Sequence, residues 1–292
     1  MEKAKLAGIN LAMQTPFNED GSINLKVYEE LIDKYIDAGV HGLVLGAGTG
    51  QHPYLTEAEC NNLYELGVKR VAGRCNVICQ TSALNVDEVI RRSRHAESIG
   101  ADAIMVLPPY FEGPSDEDSL FSFYEDVDAA VKVDIVGYNI PQSTGISVSI
   151  ALLKRLAELP HFAYIKDSGG DFAIHQEYLQ TSVNVLNGAD TIAAYAFMAG
   201  AVGAIQGTAN YMPYEAVELY NLIQEKKFSE AISLWQRMLP SILLFWQGYY
   251  VQSVLRAAQL RGFGTGNVRK PLRGITAEQD AAIQKAIAPL IK

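Results

Sequence analysis

The chain has 292 residues, 49% of them apolar, and a formal net charge of −9. That charge argues against nucleic acid as a partner, because neutralising phosphates needs clustered Lys and Arg. No uncharged apolar stretch nears the ~20 residues of a membrane span, and the start, Met1-Glu2-Lys3-Ala4-Lys5-Leu6, lacks the long apolar run of a signal peptide.

Short apolar runs alternate with helical patterns over most of the chain. A strand over 8–14 is followed by an amphipathic segment over 25–38, whose stripe is Tyr28, Leu31, Ile32, Tyr35 and Ile36. A strand over 42–46 leads into Gly46-Ala47-Gly48-Thr49-Gly50-Gln51, and Thr56-Glu57-Ala58-Glu59 then opens a helix as a capping box. Strands over 77–81 and 103–107 bracket a helix over 86–99, and Ser115-Asp116-Glu117-Asp118 is an acidic helix start. Strands over 135–138 and 163–165 flank a helix over 150–159, and the last two strands cover 183–186 and 203–206. Most of these runs are continuously apolar, as strands buried on both faces should be.

Eight βα units close a (β/α)8 barrel, and the length suits one. An open doubly wound sheet would want fewer strands and an early Gly-x-Gly-x-x-Gly turn, which the 46–50 glycines do not match; a P-loop is excluded because no Gly-Lys-Ser/Thr occurs. After Lys226-Lys227 the alternation stops. Helices are expected over 228–238, 241–260 and 276–291, joined at Pro240 and by the 262–266 stretch. Their wide apolar faces, with Leu243, Phe245, Trp246, Tyr249 and Tyr250, must pack on the barrel or on another subunit. The chain thus divides into a catalytic barrel over 1–226 and a helical extension over 227–292.

The cysteines, Cys60, Cys75 and Cys79, are too few and odd in number for a disulfide framework and fit a reducing cytoplasm. Cys75 and Cys79 flank a strand-like run with no His or Cys cluster nearby, so they are taken as small hydrophobes. No His/Asp/Glu cluster has metal-ligand spacing, and no metal is expected.

In such a barrel, reactive groups sit at the C-terminal ends of the strands. The sixth end carries Lys166, in Tyr164-Ile165-Lys166-Asp167-Ser168. A charged amine on a buried element is costly unless paired, neutralised or used, and burial favours the neutral amine that attacks carbonyls. A strand-end lysine reaching solvent or an ion pair is the plainer alternative. Asp167 faces the other way along the strand and is taken as structural. At the second end, small residues let backbone N–H groups converge on an anion and Thr49 adds a hydroxyl, although a tight turn also needs glycine. Tyr138, at the fifth end, could relay protons beside an imine or merely cap the rim. One lysine, one tyrosine and a Gly/Thr cradle point to an imine-forming enzyme for a 2-oxo acid. The cradle would hold the carboxylate, and no cofactor beyond the covalent imine at Lys166 is expected.

These strand ends, in this order, resemble the dihydrodipicolinate synthase / N-acetylneuraminate lyase family over nearly the whole chain. The likeness rests on Gln14-Thr15-Pro16-Phe17, Gly48-Thr49-Gly50, Pro108-Pro109-Tyr110, Tyr138-Asn139-Ile140-Pro141, Ile165-Lys166-Asp167 and Val268-Arg269-Lys270-Pro271-Leu272. The resemblance implies a (β/α)8 barrel with a C-terminal helical extension, a homotetramer of tight dimers, and pyruvate or another 2-oxo acid as Schiff-base partner. It implies Lys166 and Tyr138 as catalytic residues, with Gly48, Thr49, Gly50, Tyr110, Gly188 and Ile205 against the substrate.

Four positions depart from the synthase pattern. Gly48 replaces a relay threonine, Phe111 an inter-subunit tyrosine, Ser143 a carboxylate-binding arginine, and Gln51 an acid. Losing such an arginine removes a charge-assisted contact of roughly 2–5 kcal/mol. The chain is therefore read as a class I lyase acting on pyruvate, a 2-oxo-3-deoxy sugar acid or a related 2-oxo acid, by aldol cleavage or condensation or by dehydration through a Lys166 imine. Ser143 and Asp190 fall where the sugar-acid branches contact hydroxyls, with Asp190 alternatively a helix N-cap. A synthase with an altered site is the enzymatic alternative, and a non-catalytic 2-oxo acid sensor the alternative of another class.

Overall fold

In the computed structural model, which describes residues 4–291, eight parallel strands form one closed barrel in sequence order. The strands are β1 (Gly8–Ala12), β2 (Gly42–Leu45), β3 (Asn76–Gln80), β4 (Ala103–Val106), β5 (Asp134–Asn139), β6 (Phe162–Asp167), β7 (Asn184–Asn187) and β8 (Gly203–Gln206). Helices α1 (Leu25–Asp37), α2 (Glu57–Val71), α3 (Val86–Ser98) and α4 (Glu117–Asp128) follow the first four strands. A single turn, α5 (Pro141–Thr144), precedes α6 (Ile150–Leu156), and α7 (Phe172–Tyr178), α8 (Ala193–Ala199) and α9 (Pro213–Gln224) complete the ring. Three further helices, α10 (Phe228–Trp246), α11 (Tyr250–Leu260) and α12 (Ala277–Ile287), finish the chain. Met1–Lys3 of the N-terminal stretch, and Lys292, lie outside the described residues.

Alternation along each strand divides two apolar cores. Val44, Ile78, Met105, Val136, Tyr164 and Leu186 fill the barrel, while Leu43, Leu45, Ile104, Ile135 and Ile165 pack outward under the helices. Caps begin the helices where polar residues permit. Thr56 and Glu59 form the reciprocal capping box of α2, and Asp116 caps α4 through the Ser119 N–H.

Beyond shifts at element ends, such as α6 closing at Leu156 and α12 at Ile287, the structure differs from the sequence expectation chiefly in three places. β1 stops at Ala12 instead of 14, because Asn210 then takes over its backbone: Nδ2 donates to the Ala12 carbonyl at 2.7 Å and Oδ1 accepts from the Gln14 N–H at 3.0 Å. α10 runs straight through Pro240, which was expected to be a joint. A buried stripe on both sides of the proline, Leu234, Trp235, Met238, Ser241, Ile242 and Phe245, holds that helix despite the missing N–H. The expected helix over 241–260 instead breaks after Trp246, where Gly248 has φ +153° and Tyr249 is left-handed at φ +53°.

α10 packs against α9 of the barrel and α12 of the extension, which buries Phe245 but leaves Leu243, Trp246 and Tyr249 exposed. Arg269 ties the C-terminal segment to the start of α2. Its guanidinium bonds both Glu59 carboxylate oxygens at 2.7 and 2.8 Å and the carbonyls of Gly21 and Tyr54, over the face of Phe17. Among the described residues no helix is long and apolar enough to cross a membrane.

Candidate active site

β5 and β6 pair in parallel with Tyr138 opposite Lys166. Both point into the barrel, because they continue the inward alternation of Val136 and Tyr164. Lys166 Nζ lies 3.9 Å from the centre of the Tyr138 ring. The strand continues through Asp167, so Lys166 belongs to the ladder and is buried at 5% exposure. Among the described residues no carboxylate makes an ion pair with it.

Asp167 points the other way. It accepts from Asn139 Nδ2 at 2.9 Å and the Gly169 N–H at 3.0 Å, and it lies 2.8 Å from His175 Nδ1 on α7. These bonds lock the ends of β5 and β6 to each other, and thereby fix the level at which the lysine and the tyrosine meet.

Lys166 and Tyr138 open on a cavity of about 470 Å³ at the C-terminal end of the barrel. Of the residues singled out in the sequence, Gly48, Thr49, Ser143, Gly188 and Ile205 also line it. The loop after β2 is shaped by Gly46 at φ +63° and Gln51 at φ +62°, with the Gln51 N–H donating to the Gly48 carbonyl at 2.9 Å. The backbone N–H groups of Gly48 and Thr49 donate to no acceptor among the described residues, which leaves them available to an anion. Gly188 is required by close approach. A Cβ there would run into Ser168 Oγ and lie 2.8 Å from Lys166 Cε.

Three expected residues do not line the cavity. Gly50 turns toward the loop after β1, where its carbonyl accepts from Thr15 Oγ1 at 2.8 Å. Tyr110 is half-buried on the loop after β4, and the neighbouring Phe111 is 69% exposed. Asp190 is buried behind the wall and makes no helix-capping bond. Its carboxylate accepts from Thr208 Oγ1 at 2.8 Å and from the Tyr250 hydroxyl. Burial pushes the Asp190 carboxyl up from its usual range, and the Tyr250 and Thr208 hydrogen bonds oppose that rise.

The sequence reading missed the roof. Phe245, Trp246, Tyr249, Tyr250 and Val251 reach the cavity from the C-terminal helices, delivered by the break at Gly248. The only local signal was that glycine inside an apolar run. Burial holds the Tyr250 phenol well above its ordinary pKa. Chemically, the assembled site offers an amine beside a phenol, open backbone donors at one end, and aromatic side chains from the C-terminal helices along its rim.

Comparison with known proteins gives one consistent outcome. The profile of the Dihydrodipicolinate synthetase family matches residues 5–290. A 4-hydroxy-tetrahydrodipicolinate synthase of Halalkalibacterium halodurans is 30% identical over 281 residues, 95% of either chain. One from Anaplasma marginale is 31% identical over 288 residues, 98% of this chain and 95% of its own. Among solved structures, the chloride-inhibited dihydrodipicolinate synthase of Acinetobacter baumannii, complexed with pyruvate, superposes with a TM-score of 0.93 at 26% identity, over 98% of this chain and 99% of that one.

Proposed function

The chain belongs to the dihydrodipicolinate synthetase family and is a lyase of the class I aldolase type, and on that premise we propose that it breaks a 2-oxo-3-deoxy sugar acid through an imine on Lys166. Pyruvate, or the pyruvate half of such an acid, is the Schiff-base partner. Support comes above all from one placement: Lys166 Nζ, 3.9 Å from the centre of the Tyr138 ring, on the wall of the cavity at the C-terminal end of the barrel.

The neutral amine adds to the keto carbon, and loss of water gives a protonated imine. The Gly48 and Thr49 N–H groups and the Thr49 hydroxyl hold the carboxylate. Electrons of the C3–C4 bond then flow into the imine to give an enamine, while the C4 hydroxyl loses its proton and an aldehyde departs. In dehydration, a C3 proton is removed instead and the C4 hydroxyl leaves as water. Tyr138 relays these protons, and its ring face accompanies the cationic nitrogen. After cleavage the enamine takes up a proton at C3, and water then hydrolyses the last imine and restores the lysine. No external cofactor enters this scheme.

Ser143 on the cavity wall favours a hydroxylated substrate over one with a second carboxylate, because it offers a neutral hydroxyl where the synthase pattern has arginine. A synthase with an altered site is the second candidate, favoured by the names of the relatives above. Turnover of aspartate semialdehyde with pyruvate at an ordinary rate would decide for it. A homotetramer and a cytoplasmic location accompany the proposal, the latter in keeping with three free cysteines.

The test is reductive trapping. Incubation with pyruvate and borohydride should add the mass of a reduced pyruvate adduct at Lys166 and nowhere else. No gain, or a gain that survives Lys166→Ala, would overturn the imine mechanism.

A further inference from the structure

Trp246 is the last residue of α10, and its indole lines the cavity while remaining 40% exposed. Its backbone is held by its neighbours. Phe245 before it is fully buried, with its ring 5.3 Å from that of Tyr211, and the Tyr211 hydroxyl meets Ser241 of the same helix at 2.9 Å. The indole reaches the loop after β6, where Cζ2 lies 3.7 Å from the place a Cβ would take on Gly170. Gln142 Nε2 joins that loop to the one after β5 by donating to the Ser168 carbonyl at 2.8 Å, and Ser143 follows Gln142 on the cavity wall. Trp246 and Ser143 therefore share the β5–β6 side of the mouth.

The proposed carboxylate cradle lies on the other side. Thr49 follows β2, and its Oγ1 stands over Gly207, which follows β8. In a barrel closed in sequence order, β2 and β8 flank β1, whereas β5 and β6 face them across the axis. A 2-oxo acid anchored at the cradle by C1 and bonded to Lys166 through C2 runs away from the cradle from C3 onward, because C1 and C3 leave a trigonal carbon in diverging directions. The cavity, at about 470 Å³, is larger than three-carbon pyruvate fills.

Resting on the Schiff-base reading above, we infer that Trp246 is a specificity-determining residue that packs against the aldehyde half of the substrate, on the carbons beyond C4. Its indole sets an apolar surface beside the Ser143 hydroxyl, so this side of the mouth fits a chain with hydroxyls on one edge and C–H bonds on the other. A hydroxylated tail of two or more carbons past C4 meets that description. The C-terminal extension thereby takes part in choosing the substrate, while the reacting groups stay on the strands.

Two probes with the same carboxylate, keto group and C4 hydroxyl test this: 2-oxo-3-deoxyhexonate, and 2-oxo-4-hydroxypentanoate, which ends one carbon past C4. The readout is the ratio of their kcat/KM values, hexonate over pentanoate. Trp246→Ala should lower that ratio by about tenfold. Trp246→Phe, which keeps an aromatic face, should hold it within about threefold. Reductive trapping of pyruvate should run at the parental rate in both variants, since pyruvate ends at C3, and it checks that both have folded. An unchanged ratio in Trp246→Ala, a ratio as low in Trp246→Phe, an equal loss on both probes, slowed pyruvate trapping, or no turnover of the hexonate by the unaltered chain each overturns the assignment. Failure of pyruvate trapping in the unaltered chain would instead sink the Schiff-base reading beneath it.

Discussion

Lys166 and Tyr138 are register partners on adjacent parallel strands, and the lysine Nζ rests 3.9 Å from the centre of the tyrosine ring. Neither residue depends on a loop for its position. Both stand on strands whose ends are tied together by the Asn139–Asp167 hydrogen bond at 2.9 Å. Such rigidity suits groups that must stay aligned through several proton transfers.

Tyr138→Phe keeps the ring over the nitrogen and removes only the hydroxyl. Pyruvate trapping at Lys166 should persist, while kcat falls by about 10²–10⁴. Single-turnover trapping alongside steady-state rates separates the two, and an unchanged kcat would remove Tyr138 from the proton relay.

Gly188→Ala places a methyl group 2.8 Å from Lys166 Cε and 2.9 Å from Cγ, and against Ser168 Oγ. The lysine must move away from its place. Trapping should slow by roughly tenfold or more, since small displacements of a reacting group are costly. Overpacking should cost about 1–3 kcal/mol of stability. Trapping at the parental rate would show that the wall has room.

The glycines of the loop after β2 should not be equivalent. Gly46 has φ +63°, and an added Cβ would run into the Tyr64 ring and hydroxyl, whereas at Gly48 nothing lies within 4 Å. Gly46→Ala should destabilise by about 1–3 kcal/mol and Gly48→Ala by no more than about 0.5 kcal/mol in urea unfolding. Equal effects would contradict the loop geometry.

Acid should weaken the C-terminal tie. The Arg269 guanidinium holds the Glu59 carboxyl down at about 2, from its ordinary 4.5. A carboxyl depressed on folding stabilises above its unfolded pKa, and that contribution is lost as pH falls through the folded value. On the order of 1 kcal/mol, once solvent screening of this partly exposed pair is allowed for, should thus disappear between pH 4.5 and about 2. Glu59→Gln should flatten the dependence of unfolding free energy on pH across that window, and an unchanged slope would show that the pair does not matter to stability.

The strands were legible because burial on both faces leaves continuous apolar runs, and eight of them with intervening amphipathic helices admit few closed arrangements. Lys166 was legible for a related reason, since it ends such a run with a charged group that is costly in a core; Tyr138 ends another, and Thr49 follows a third in a glycine-rich turn. The site's far wall was not. Phe245, Trp246, Tyr249 and Tyr250 look in sequence like one face of a long helix, and Pro240 like its interruption. Tertiary packing carried the helix through the proline and broke it instead at Gly248, since the buried stripe of α10 outweighs one lost backbone hydrogen bond. Asp190 shows the same division. Its residue type announced a polar contact, but whether it meets substrate or Tyr250 depends on a helix 60 positions away. Local pattern by itself determined the barrel and the residues along its strand ends. Which groups close over them was decided only by long-range packing, whose partners no sequence period records.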